Sequence, residues 1–133
     1  MSEQLVLGLS FKEALEKEDF FISSSNLDAV TLLGNPDRWA SGVLLLVGPK
    51  GSGKTHLSLV WCKENDAKYL GLESILQEIE KGLTHDTFCL EDIDIIEKAE
   101  RQKKSKIEEG IFHLINSIGS RGGKLLILSL IHI

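Results

Sequence analysis

Residues 48–55 read Gly48-Pro49-Lys50-Gly51-Ser52-Gly53-Lys54-Thr55, which fits the pattern G-x-x-x-x-G-K-[ST] of a phosphate-binding loop. The residue types suit that chemistry. Glycines at 48, 51 and 53 let the backbone turn sharply and bring its N–H groups against a phosphate. A helix opening near Gly53 directs its positive end at the same anion. Lys54 reaches the outer phosphates as a point charge, and the Thr55 hydroxyl is a magnesium ligand. A second group of residues complements the loop. The apolar run Thr87-Phe88-Cys89-Leu90 ends in Glu91-Asp92. A hydrophobic strand that delivers two acids at its carboxyl end supplies the other half of an ATPase site. One acid of the pair Glu91 and Asp92 holds Mg²⁺ directly or through water. The other orients the attacking water. Asp94 and Glu97 follow closely, so an ordinary acidic turn has a similar appearance.

The elements that must position these residues are legible as an alternation of strands and helices. Val43-Leu44-Leu45-Leu46-Val47 is a short apolar strand ahead of the loop, and a helix runs from the loop to about Asn65. Lys68-Tyr69-Leu70 is a second strand. Residues 73–81 form a helix with Leu72, Ile75, Leu76, Ile79 and Leu83 at helical spacing, and Gly82 near its end. Residues 87–90 are a third strand. Ser105-Lys106-Ile107-Glu108 matches a capping box, which predicts a helix opening there with Ile107, Ile111, Leu114, Ile115 and Ile118 on one face. Arg121-Gly122-Gly123 is a turn, and residues 124–130 are a fourth apolar strand. Earlier in the chain, Ser25 with Asp28 predicts a helix N-terminus, with Leu27, Val30 and Leu33 on one face and Gly34-Asn35-Pro36 ending it. Residues 37–41 read as a loop, with Trp39 at the edge of the core. The alternation implies an α/β fold, a parallel sheet with helices on both faces and a ligand at the carboxyl ends of the strands.

Composition bounds the function. The chain has 133 residues, the size of one domain, and 42% of them are hydrophobic, enough for a real core. Its net charge is −5, which argues against a protein held mainly by nucleic-acid phosphates. Arg101, Lys103, Lys104 and Lys106 are interleaved with acids and lack aromatic neighbours, so they read as a solvated loop or helix end. Cys62 and Cys89 fall in a predicted helix and a predicted strand and read as small buried hydrophobes of a reducing, cytoplasmic compartment. The histidines make no ligand cluster with them. No apolar run approaches the roughly 20 residues of a membrane span, and the N-terminus lacks the basic start of a signal peptide. Gln4, Leu5 and Leu7 stand ahead of any regular element, so residues 1–17 read as an arm and residues 18–133 as the domain. The arm is either a strand padding the domain or a short linear motif whose leucines fill a partner's pocket.

Several blocks together resemble one family. They are Phe20-Phe21-Ile22 with Ser25-Asn26, the loop with its Thr55-His56-Leu57 extension, Glu91-Asp92-Ile93-Asp94, Phe112-His113-Leu114-Ile115-Asn116, and Gly123-Lys124-Leu125-Leu126-Ile127-Leu128-Ser129. Across residues 18–129 the chain is similar to the AAA+ ATPase domain of DnaA-type replication initiators and their shorter Hda-like relatives. The resemblance implies a P-loop NTPase of the AAA+ type that binds ATP or ADP with Mg²⁺, with Ile22, Asn26 and His56 joining the loop at the nucleotide. Gln4-Leu5-Val6-Leu7 resembles the Q-L-x-L motif by which Hda-like proteins bind the sliding clamp.

The function this implies is that of an adaptor on the DNA-loaded clamp that contacts DnaA and promotes hydrolysis of DnaA-bound ATP. Such an adaptor reads no DNA sequence itself, enters no membrane and can form homo-oligomers. Two departures shape the expectation further. Glu91 stands where DnaA-type initiators usually have Asp, so little or no intrinsic hydrolysis is expected. The family's fifth strand, arginine finger and helical lid have no counterpart after Ser129, so the fold is expected to be incomplete at its C-terminus. An autonomous P-loop ATPase of the helicase-loader type shares the same core and remains the alternative. A small P-loop kinase would need a lid with arginines over the phosphates, and the sequence has none.

Overall fold

The computed structural model describes residues 21–23, 31–39, 42–48, 53–91, 93 and 99–130. It is a small α/β domain built on a five-stranded parallel sheet. The strands are β1 (Phe21–Ser23), β2 (Val43–Gly48), β3 (Lys68–Leu70), β4 (Thr87–Leu90) and β5 (Lys124–Leu130). Their order across the sheet is β1-β2-β5-β4-β3. Among the described residues the helices whose full bounds are seen are α1 (Lys54–Asn65), α2 (Ile75–Glu80) and α3 (Arg101–Arg121). Short 3-10 turns occupy Pro36–Arg38 and Leu72–Ser74.

Both faces of the sheet are covered, because its strands are apolar at consecutive positions. Val43, Leu45, Phe88, Leu90, Leu125 and Ile127 face α2 and α3. Leu44, Leu46, Cys89, Leu126 and Leu128 face α1 and the 31–39 segment. Parallel strands buried on two sides read as continuous runs of Val, Leu and Ile, as here. Helix α3 contributes Ile111, Leu114 and Ile118, all fully buried. Each such side chain contributes roughly 1.5–3 kcal/mol. Trp39 is buried and stacks on Trp61 of α1, ring centroids 5.3 Å apart.

Backbone contacts set the amino-terminal edge of the sheet. Gly42 has φ +76°, and a Cβ there would drive into the Gly123 carbonyl oxygen. A Cβ on Gly123 would drive into the carbonyl oxygen of Asp86. The Lys124 N–H donates to that same Asp86 oxygen, 3.1 Å away. Glycine at 42 and 123 therefore lets β2, β5 and β4 start in register.

Strands β2 to β5, helix α1 and the turn after α3 lie where the sequence predicts them. Three expectations are corrected, and one strand is present that the sequence reading does not include. Strand β1 pairs with β2, Ile22 opposite Leu45, although nothing in its short sequence marks a strand. The predicted 73–81 helix is a 3-10 turn followed by α2, and Leu76 is 39% exposed while Glu78 is buried. The predicted loop at 37–41 begins inside the 3-10 turn Pro36–Arg38. Helix α3 starts at Arg101 with Glu100 as its N-cap, so Ser105 caps nothing. Arg, Gln and Lys at 101–104 are good helix formers, and the Lys104 N–H donates to the Glu100 carbonyl at 2.8 Å, so the helix begins before the capping box. Among the described residues, 31–33 are helical, and the predicted start of that helix at Ser25 lies outside them.

Glu78 is the polar element of this core. Its carboxylate is 2% exposed, pairs with the Lys68 ammonium at 2.6 Å, and accepts from both the N–H and the hydroxyl of Thr84. Burial pushes the carboxyl up, but Lys68 and the two Thr84 donors outweigh it and hold the group at about 2 against an ordinary 4.5. A depressed carboxyl stabilises the fold above its ordinary value and loses that contribution as pH falls through the folded value. Glu78→Gln is expected to lower unfolding free energy by roughly 2 kcal/mol at neutral pH. Urea titrations should show the gap from the parent closing between about pH 4.5 and pH 2; a gap that stays constant over that range contradicts the assignment.

Candidate phosphate-binding site

The loop residues that the structure describes are Gly48 at its start and Gly53, Lys54 and Thr55 at its end. Pro49, Lys50, Gly51 and Ser52 lie outside the described residues, as do Asn26, Asp92, Gln4, Leu5 and Leu7. The two ends have the form a phosphate loop needs. Gly48 closes β2, which pairs along its whole length with β5. Gly53 has φ 87°, in the left-handed region, where glycine is favoured. Among the described residues, a Cβ built on Gly53 meets nothing within 4 Å.

Helix α1 begins directly after Gly53, and its first intrahelical bond runs from Leu57 N–H to the Gly53 carbonyl at 3.0 Å. The N–H groups of Lys54, Thr55 and His56 therefore precede that ladder, and Gly53 offers no side-chain cap. They are the donors a phosphate would engage. Lys54 is only 8% exposed and makes contacts within the domain. Thr55 and His56 are exposed. Ser58 is fully buried and its hydroxyl donates to the Thr55 carbonyl at 2.8 Å, which firms the first turn. The buried side of α1 is Lys54, Ser58, Trp61 and Cys62, one face at helical spacing. Leu59 and Val60 are exposed, so the apolar residues of this helix do not all face inward.

Glu91 follows Leu90, which pairs across Ile127 of β5 with Leu45 of β2. Two strand spacings, roughly 10 Å, therefore separate the strand that precedes Glu91 from the strand that enters the loop. That gap suits a phosphate with its magnesium. The Glu91 carboxylate is half-buried, and one oxygen accepts from the Leu72 N–H at 3.2 Å. It also lies close over Gly71. Glu91 thus anchors the start of the 3-10 turn after β3, a role its sequence position gave no sign of. Ser129 was also unassigned as a site residue. It is fully buried, one residue from the end of β5, opposite Val47 of β2. A hydroxyl ending an otherwise apolar strand was the available signal.

The donor set bears on what the site can hold. Glycine backbone, N-terminal helix amides and a buried lysine suit phosphate oxygens. For magnesium, the described candidates are the Thr55 hydroxyl and the second oxygen of Glu91. Among the described residues no group of three His, Cys, Asp or Glu side chains is arranged around a metal. Magnesium bound mainly by phosphates and water needs only one or two protein ligands. Ile22 lies on β1, beside the loop strand. Among the described residues no helix is long and apolar enough to cross a membrane.

Comparison with family models, curated proteins and solved structures finds no match to this chain.

The bond from Leu72 to Glu91 has a measurable consequence. In nucleotide-free protein, Glu91→Ala is expected to cost about 1–2 kcal/mol of stability, because a backbone N–H loses its acceptor. Glu91→Gln retains an acceptor oxygen and should cost less than half of that. Equal stability of parent and Glu91→Ala by chemical denaturation would show that the carboxylate has no part in the fold.

Proposed function

We propose that this chain is an adenine-nucleotide-binding regulator of DNA replication initiation, of the Hda-like AAA+ kind. The observation that carries the nucleotide reading is the entry into α1. A left-handed Gly53 leads directly into Lys54 and Thr55 at the amino end of a twelve-residue helix, in the sequence that follows the carboxyl end of β2. The motif-bearing sequence and this geometry agree, and the carboxyl ends of parallel strands are where such sheets bind ligands. In this reading the loop amides and Lys54 hold the phosphates. Thr55 and Glu91 attend the magnesium, which would neutralise phosphate charge when bound, and Asp92 orients water. Ile22, Asn26 and His56 complete the nucleotide site.

The regulatory part of the proposal rests on the sequence blocks that resemble DnaA and Hda. In it, Gln4, Leu5 and Leu7 bind the sliding clamp, and the domain acts on the ATP bound by DnaA. An autonomous loader-type ATPase would use the same nucleotide site without the clamp motif, and the arm separates the two.

Two experiments test this. Lys54→Ala removes the cation facing the phosphates, and a charge-assisted contact in a confined site is a strong one. Titration calorimetry with ATP and Mg²⁺ should show affinity falling by at least about tenfold, roughly 1.4 kcal/mol; unchanged affinity rejects the site. For the arm, Leu5→Ala with Leu7→Ala should weaken binding to the clamp by more than about tenfold. The same change should leave the melting temperature within a few degrees of the parent. A large drop in melting temperature, with no clamp binding by the parent, makes the arm core padding and favours the loader reading.

A further inference from the structure

A cleft of about 360 Å³ lies between helix α1 and the segment 33–36. Leu33, Pro36, Leu57, Val60 and Trp61 give it apolar walls. Leu57, Val60, Trp61 and Glu64 recur at helical spacing, so one stripe of α1 lines it. Val60 is 41% exposed, an apolar surface that the fold itself does not cover. Trp61 is buried and stacks on Trp39, yet the two indoles differ in one respect. The Trp39 Nε1–H donates to the Leu32 carbonyl at 2.7 Å. The Trp61 Nε1–H is buried and has no acceptor among the described residues. A buried donor without an acceptor is costly, and each one in a fold calls for a reason. The polar side chains that line the cleft with Trp61 are acceptors. Glu64 offers its carboxylate. The Asn65 Nδ2 already donates to the Trp61 carbonyl at 2.9 Å, which leaves its Oδ1 to accept. No lysine or arginine lines the cleft.

We propose that this cleft binds a small protonated aromatic amine that also carries an oxygen acceptor. The acceptor takes the Trp61 N–H, the ring covers Leu57 and Val60, and the ammonium faces Glu64 and the Asn65 Oδ1. Three features select this class. The volume lies near the lower end of the roughly 300–1,000 Å³ of ligand pockets, so one ring system fits and a larger one does not. Pro36 and Trp61 are themselves rings, and a rigid aromatic ring packs on them with less loss of freedom than a flexible chain. Glu64 is the one charged lining residue, so the site favours a cation and disfavours a carboxylate or phosphate. Its ligand therefore differs in charge from a nucleotide. The cleft extends to Asn65, at the opposite end of α1 from Lys54, and the proposal does not rest on the phosphate-site reading.

The test is a titration of the full chain with three probes, followed in a two-dimensional N–H spectrum. The chain has two tryptophans, so two indole signals report on the site. Tyramine carries the ring, the hydroxyl acceptor and the ammonium. It should move the Trp61 indole signal downfield to saturation and the Trp39 signal much less. Phenethylamine lacks the acceptor and should bind about fivefold more weakly, the loss expected for one hydrogen bond. The anion 4-hydroxyphenylacetate sets a carboxylate against Glu64 and should bind at least about tenfold more weakly than tyramine. Glu64→Gln, at an exposed position, should weaken tyramine by about threefold and bring the two hydroxyl probes closer together. A Trp61 indole signal that tyramine does not move, or shifts centred elsewhere, overturn the proposal. So does equal binding of tyramine and phenethylamine. A Trp61 indole signal as far downfield in the free protein as that of Trp39 shows that its N–H already has an acceptor, and this also overturns it. The three probes on the parent decide the matter even where Glu64→Gln does not fold.

Discussion

Strand β5 hydrogen-bonds β2 along one edge and β4 along the other, and nearly everything else in the domain depends on those two ladders. They bring the strand that enters the glycine loop and the strand that ends at Glu91 to the same end of one sheet. They also make a hydrophobic floor in which Leu125 to Leu128 are buried on alternating faces. The constraint that permits this is at the opposite end of the sheet. Backbone atoms of Gly42, Gly123 and Asp86 approach so closely that no side chain fits at either glycine. A β-carbon at those places would separate the ladders before any contact of the site was made.

Glu78, Arg121 and Glu91 each have a structural partner within the domain. Glu78 ties β3, α2 and the turn at Thr84 into one unit through Lys68. Arg121, at the end of α3, donates to the carbonyls of Gly82, Leu83 and His85 and so closes the same turn from the other side. Glu91 does the corresponding work for the turn after β3. That a residue proposed for magnesium also caps a backbone turn gives the site a fixed reference. Its carboxylate is oriented by the fold before any ligand arrives, and preorganisation of this kind is what charged sites require.

Much of this was legible in sequence. The apolar runs at 43–47, 87–90 and 124–130 have no other stable use than as buried parallel strands, and the loop pattern fixed the start of α1. What escaped reading had physical reasons. Three residues, Phe21–Ser23, carry too little periodicity to announce a strand, and their pairing partners lie 23 residues away. Ser105 and Glu108 make a capping box on paper, but the good helix formers at 101–104 carry the helix back to Glu100. Glu78 carries no sequence sign of burial, because its partners, Lys68 and Thr84, lie ten and six residues away. Cys62 and Cys89 are buried, as the sequence reading has them.

The central claim is that the amino end of α1 holds phosphate. A two-dimensional amide NMR spectrum of the chain, titrated with ATP and Mg²⁺, addresses it most directly. The account predicts that the amide resonances of Gly53, Lys54 and Thr55 shift most, and that those at the start of β3 and β4 stay nearly unmoved. Shifts centred elsewhere on the domain, or none at saturating nucleotide, would contradict it.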